Sequence, residues 1–277
     1  MKFNVIILLL TCLIISGAAQ NTGWKKLLNE KDLSGWDTYL GPSYDTIRKK
    51  WNNAPTGLNK DPMQVFSLIT NDGQVVLRIS GERFGGISTK ENFRNYHLRL
   101  EFKWGQSKYH PRKNGKRDSG LLYHAVGNHG ADAGFWLRSQ EFQVQEGDCG
   151  DYWGVAGGSF EVKATKKDSA QYVYDPKGKL FLFNVKSPQG RRAMKNPDAE
   201  LPNGAWNKLE LYCYDGTAVH MVNGKVMMIL HHSSQLENGK LIPLTEGKIQ
   251  VQSEGAEIFY RNIEIQSIDH IPSELLK

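Results

Sequence analysis

Between residues 96 and 104 the sequence alternates without a break: Tyr96, Leu98, Leu100, Phe102 and Trp104 interleave with His97, Arg99, Glu101 and Lys103. A repeat of two sends successive side chains to opposite faces of an extended chain, so this segment reads as a half-buried β-strand with one polar face. The same period marks strands at 75–79, 121–125, 135–145, 180–185, 209–214, 219–222, 226–230, 247–253 and 257–265, and only one helical turn is expected, around 168–172. Asn223-Gly224 between two such runs accepts the positive φ angles of a type I′ hairpin, and Ser253-Glu254-Gly255-Ala256 reads as a second reversal. Many antiparallel strands, each with one polar face, argue for a sandwich of two sheets. Strands this long curve, and a concave sheet with polar side chains near Trp or Tyr is, by analogy with other folds, a natural saccharide groove.

Residues 1–19 read as a secretory leader. Lys2 gives a positive start, an apolar run follows over 5–15, and Gly17, Ala18 and Ala19 precede Gln20. The run is too short for a membrane span, and Cys12 lies inside it, whereas a lipidated cysteine would close it. No Asn-x-Ser/Thr acceptor occurs, which suits a secreted, periplasmic or cell-surface bacterial protein. Residues 20–277 are then expected to form one domain. With 39% apolar and 23% charged residues this is no disordered chain, and three cysteines are too few for a disulfide scaffold. Cys149 and Cys213 could pair, but Cys213 falls in an apolar strand pattern that favours buried thiols. The net charge of +6 raises the question of nucleic acid. Arg112, Lys113, Lys116 and Arg117 are interleaved with Pro111, Asn114 and Gly115, however, which reads as a solvated loop tip. No basic helical stripe exists, so no nucleic-acid partner is expected.

The segment richest in chemistry is Glu141-Phe-Gln143-Val-Gln145-Glu146-Gly-Asp148. Period two places Glu141, Gln143 and Gln145 on one face, and such a row costs stability unless it meets water or a ligand. One reading is a plain solvated face. The other is a row that hydrogen-bonds sugar hydroxyls, with Glu141 as acid or base. The spacing is similar to the Glu-x-Asp-x-x-Glu strand of laminarinase-type glycosidases, but Gln143 stands at the central Asp, and without a bulge Glu146 points away from Glu141. His124, after Asp118-Ser119-Gly120, is either a general base or a hydrogen-bonded structural histidine. Asp148 and Asp151, set among glycines, could hold Ca²⁺ or simply cap turns. Tyr152 and Trp153 in the same stretch could stack on a sugar. His231-His232 lacks matched partners, and no metal is assigned. Nucleophile elbow, P-loop, Rossmann glycines and HExxH are all lacking.

Six ordered segments resemble one family. They are Trp24-Lys-Lys-Leu-Leu-Asn29-Glu-Lys-Asp32-Leu-Ser-Gly35-Trp36, Gly85-Gly86-Ile-Ser-Thr89 with the strand after Phe93, Asp118-Ser119-Gly120-Leu-Leu-Tyr123, Glu141-Phe-Gln143, Asn223-Gly224-Lys225-Val226, and Glu254-Gly255 through Arg261-Asn262. This order is similar to the 3-keto-disaccharide hydrolase domain family, over about residues 24–267. The resemblance implies a concanavalin A-like lectin/glucanase jelly roll, secreted, that cleaves glycosides oxidised to a ketone at C3. For such a substrate a base removes the C2 hydrogen, the C1–O bond breaks by elimination, and water adds back. On that reading Glu141 is acid/base with His124 as partner, and Gln143, Gln145, Glu101, Lys103, Arg99, Tyr152 and Trp153 bind the sugar. Two departures, His124 after the Asp-Ser-Gly strand and the extension from Gln145 to Asp151, leave the base and the substrate open. A carbohydrate-binding module and an ordinary glycosidase using Glu141 and Glu146 are the alternatives.

Overall fold

The computed structural model describes residues 23–277, so the leader lies outside the described residues. Two antiparallel sheets pack face to face. One runs in the order Arg192–Ala193, Tyr152–Val155, Arg138–Gln145, Asp118–Val126, Glu246–Ser253, Gly85–Thr89, Trp36–Asp45, Lys50–Leu58. The other runs Tyr172–Tyr174, Gly158–Lys166, Lys225–Glu237, Thr217–Val222, Asn207–Tyr214, Tyr96–Lys108, Ala256–Ser267, Gln74–Ile79, Phe66–Asn71. Among the described residues the helical content is a single 3₁₀ turn, Ser273–Leu276. This is the two-sheet sandwich that the alternation predicts, in the jelly-roll form that the family resemblance implies.

Leu98, Leu100 and Phe102 from one sheet meet Leu121, Tyr123, Phe142, Val144, Ile249 and Val251 from the other, all essentially without exposure. Each such side chain contributes about 1.5–3 kcal/mol through removal from water. Their neighbours at odd steps, including Gly120, Glu141, Gln143 and Gln252, therefore face outward from the first sheet. A second apolar cluster lies on that outer face. Phe84, Leu122, Phe135, Trp136 and Val155 pack beneath the loop of residues 127–137.

The Asn223-Gly224 hairpin forms as expected, with φ of +50° and +77°. Three local expectations change. The 135–145 strand begins only at Arg138, because Phe135 and Trp136 belong to the loop over the outer face. No helical turn forms at 168–172; Asp168 Oδ1 accepts the N–H groups of Ala170 and Gln171 at 2.9 Å each, a side-chain-closed turn. The reversal at 253–256 is no hairpin within one sheet, since Glu246–Ser253 and Ala256–Ser267 belong to different sheets and the turn bridges them. Cys149 and Cys213 are buried free thiols.

Candidate active site

On the outer face of the first sheet lies a cavity of about 310 Å³. Neighbouring strands supply its floor, with Asp118 on one, Glu141, Gln143 and Gln145 on the next, and Gln252 leading into Glu254 on the third. Loops supply the walls through Arg112, Asp132, Trp136 and Arg191. The floor depends on Gly120. A Cβ there would stand 2.4 Å from Glu141 Oε1 and 2.2 Å from Gln252 Oε1, so only a bare backbone lets both side chains lie over it.

Charge is concentrated here. Arg112 pairs with Asp118 and donates from Nη1 to Glu254 Oε1 at 2.9 Å. Gln145 Nε2 donates to Asp118 Oδ2 at 2.5 Å, and Arg191 Nη1 donates to Asp132 Oδ1 at 3.1 Å. Gln143 Oε1 accepts the N–H of Val144 at 2.9 Å, which leaves its amide donors to the cavity. Glu141 is 6% exposed, and among the described residues no hydrogen bond holds its carboxyl. Among the described residues, three buried polar atoms of the lining also lack a hydrogen-bond partner: Asp118 Oδ1, Gln252 Oε1 and Trp153 Nε1. Buried polar groups are ordinarily satisfied, so an unspent set of this kind marks a place where a polar ligand belongs.

The electrostatics follow from three carboxyls facing one direct cation. Burial pushes Asp118 up to about 7, against the pull of Arg112 and the hydrogen bond from Gln145. Burial first, and the charge of Asp118 second, raise Glu141 well above the ordinary carboxylate range. The same two causes raise Glu254, with Arg112 opposing them. Asp118 is thus placed to exchange a proton near neutral pH, and Glu141 and Glu254 hold theirs well above the ordinary carboxylate range.

Glu141, Gln143, Gln145 and Trp153 come together as the sequence suggested, although the Trp153 ring is flanked by the Arg191 and Arg192 guanidinium groups at 5.3 and 5.5 Å. The remaining sequence candidates lie elsewhere. His124 takes a φ of +49°, which breaks the alternation and turns its ring against Tyr123 and against Tyr96 of the opposite sheet. It is 2% exposed, and burial lowers its pKa to about 3, so it is a neutral interior ring and no partner for Glu141. Tyr152 is also interior; its hydroxyl donates to Gln140 Oε1 at 2.7 Å. Arg99, Glu101 and Lys103 stand on the outer face of the other sheet, with no route to the cavity. There Arg99 binds Glu264, Glu101 binds Arg261, and Lys103 lies over the Trp206 ring. Glu146 binds Arg117 and Asn203, which excludes the Glu141–Glu146 pair.

The aspartates of the glycine-rich loop are matched by cations of the chain itself. Asp151 binds Arg192 and accepts the Lys195 N–H at 2.8 Å, and Asp148 binds Lys116 at 2.7 Å. Among the described residues no group of three or more His, Cys, Asp and Glu side chains is arranged to hold a metal ion. Sequence reasoning missed Arg112, Arg191, Asp132, Trp136, Gln252 and Glu254, and it left Asp118 without a role. The tip of the basic cluster, Lys113 to Lys116, is solvated as expected, but the flanking Arg112 and Arg117 are ion-paired inward. A usable signal existed in Gln250-x-Gln252-x-Glu254, the same every-second-residue polar row as Glu141-x-Gln143-x-Gln145.

Fold and site together define a lectin-like β-sandwich that carries a carboxyl-lined cavity on one sheet. A family model described as the 3-keto-alpha-glucoside-1,2-lyase-like domain matches residues 23–266, and the chain belongs to this family. Membership places it among carbohydrate-active, hydrolase-like proteins. Two solved structures from Parabacteroides distasonis, both provisionally described as glycosyl hydrolases, have similar folds. The first is 18% identical with a TM-score of 0.50, over 89% of this chain and 94% of that one. The second is 17% identical with a TM-score of 0.48, over 88% and 99%. A Bacillus subtilis protein of unknown function with a galectin-like fold is 12% identical, with a TM-score of 0.47 over 88% and 94%. No protein of curated function matches the sequence significantly. Among the described residues no helix is long and apolar enough to cross a membrane.

Proposed function

We propose that the protein cleaves 3-keto-glycosides by elimination across C1–C2, with Glu141 as the group that moves the proton. The observation that carries this reading is the buried Glu141 carboxyl, unheld by any hydrogen bond among the described residues, beside an arginine fixed by two further carboxyls. A ketone at C3 acidifies the C2 hydrogen, so a strong, positioned carboxylate suffices as base. Burial makes Glu141 such a base by disfavouring its charged form.

In the first step Glu141 takes the C2 proton, and the C–H electron pair becomes a C2=C3 enolate. Arg112 donates to the enolate oxygen, its guanidinium kept in place by Asp118 and Glu254. In the second step the enolate re-forms the ketone, the C1–O bond breaks, and Glu141 returns its proton to the leaving oxygen. Water then adds at C1 of the enone while C2 is reprotonated, giving the free 3-keto sugar. The amides of Gln143, Gln145 and Gln252 bind ring hydroxyls, and Trp136 and Trp153 close the walls. The leader-like residues 1–19 support a secreted or periplasmic location for this activity.

Incubation with nitrophenyl 3-keto-glucosides and their unoxidised parents, each with and without EDTA, tests the reading. Release from the keto substrates alone is expected. Release from the parents alone overturns the elimination, and saccharide binding without any turnover makes the cavity a binding site only.

A further inference from the structure

A second cavity of about 380 Å³ opens beside the first, with Tyr44, Trp51, Arg83, Phe84, Lys108 and Lys113 in its lining. Gly255 lies between a lining side chain of each. A Cβ built on Gly255 would meet Arg112 Cβ at 3.1 Å and Phe84 Cε1 at 3.3 Å, and these two side chains belong to the first and second cavities respectively. Trp51 packs edge-on against Tyr44 at 5.1 Å and against Phe84 at 4.8 Å, which gives an aromatic wall of the kind that apolar sugar faces cover.

The cations set this cavity apart from the catalytic one. Arg112 and Arg191 are bound by carboxylates, whereas among the described residues Arg83, Lys108 and Lys113 have no ion-pair partner. Arg83 donates from Nη2 to Thr56 Oγ1 at 2.8 Å, and its Nε is buried without an acceptor. Lys108 Nζ donates to the Gly115 carbonyl at 2.5 Å, and Lys113 is exposed. Glu82, the one carboxylate of the lining, accepts from the Ser80 hydroxyl at 3.3 Å and forms no ion pair.

We infer that the second cavity is the aglycone subsite, and that it selects a sugar ring carrying an anionic substituent, a carboxylate or a sulfate ester. This rests on the reading that the glycosidic bond is cleaved at Glu141. Two measurements separate the proposals: kcat/KM for 3-keto-glucosides with a glucuronate, a 6-sulfoglucose or a glucose aglycone, and calorimetric binding of the three unoxidised disaccharides to Glu141→Gln. An anionic aglycone is expected to be preferred about tenfold or more, as for one charge-assisted hydrogen bond. That ratio should fall to about one in Lys108→Ala/Lys113→Ala, and in wild type at about 0.5 M salt. Single Lys113→Ala, on an exposed position, should lower it without moving Tm. Preference for the uronate, for the sulfate or for both supports the subsite and identifies the anion. Equal values for all three ligands, or a preference that survives the double variant, overturn it. An anionic preference in binding with no turnover of any keto-glycoside removes the proposed reaction and overturns the aglycone assignment, keeping only an anion-selective sugar site.

Discussion

Two polar rows, one on each sheet, look alike in the sequence and have opposite fates. Arg99, Glu101 and Lys103 alternate with core residues just as Glu141, Gln143 and Gln145 do. In the first row the charges are spent on each other, Arg99 with Glu264 and Glu101 with Arg261 across neighbouring strands. In the second row, among the described residues, Glu141 is buried and held by no hydrogen bond, while Gln252 Oε1 and Asp118 Oδ1 beside it have no hydrogen-bond partner. Periodicity reports which way a side chain points. Whether its bonding capacity is already used depends on strands far away in the chain.

The sharpest way to break the comparison is to remove one carboxylate from each row. Glu141→Gln is expected to lower kcat by about 10²–10⁴-fold on a 3-keto-glucoside while the fold persists, and Glu101→Gln to leave kcat within about twofold. Similar losses from both would erase the distinction. Gly120→Ala comes next. Its methyl group must displace Glu141 or Gln252, so turnover should fall by more than about tenfold and stability by roughly 1–3 kcal/mol, read by kinetics and denaturant unfolding.

The pH dependence sharpens the contrast further. Because burial and the charge of Asp118 raise Glu141 well above the ordinary carboxylate range, its base form gains population only above that range, and kcat/KM should climb with pH there. A profile already flat from pH 5 rules out this base. For stability the sign is the reverse. A group raised on folding contributes fully below its unfolded pKa and loses that contribution as pH rises through its folded value, about 7 for Asp118. Asp118→Asn should therefore gain in Tm over wild type as the pH goes from 5 to about 9. His124 behaves oppositely. With its pKa lowered to about 3, its contribution is whole above pH 6.5 and is lost as pH falls toward 3. His124→Asn, which tolerates a positive φ, should keep activity within a few-fold and flatten the acid side of a Tm-against-pH curve. The smallest effect belongs to the spent row. Arg99→Ala should cost no more than about 1 kcal/mol, since its guanidinium is partly exposed over Trp24 and beside Glu264.

The β class, most strands and the Asn223-Gly224 hairpin were legible because each depends on residues adjacent in the chain. The Glu141 row was legible for the same reason. His124 was misplaced because a left-handed residue at the strand end reverses the alternation, and nothing in a histidine codon announces that angle. Arg112 was misread because proline, asparagine and glycine around it signal a loop, whereas its partners Asp118 and Glu254 are brought to it only by sheet closure. Tyr152 and Trp153 follow one another, and only the register against Phe142 and Glu141 tells which ring enters the interior.

The turn at 253–256 carries Glu254 to Arg112 at the place where the chain leaves one sheet for the other. Assembly of the cavity is thereby tied to a long-range closure of the sandwich. A partly folded chain, a proteolytic fragment or an isolated sheet has no half-competent version of this centre, so ligand recognition itself reports completed folding.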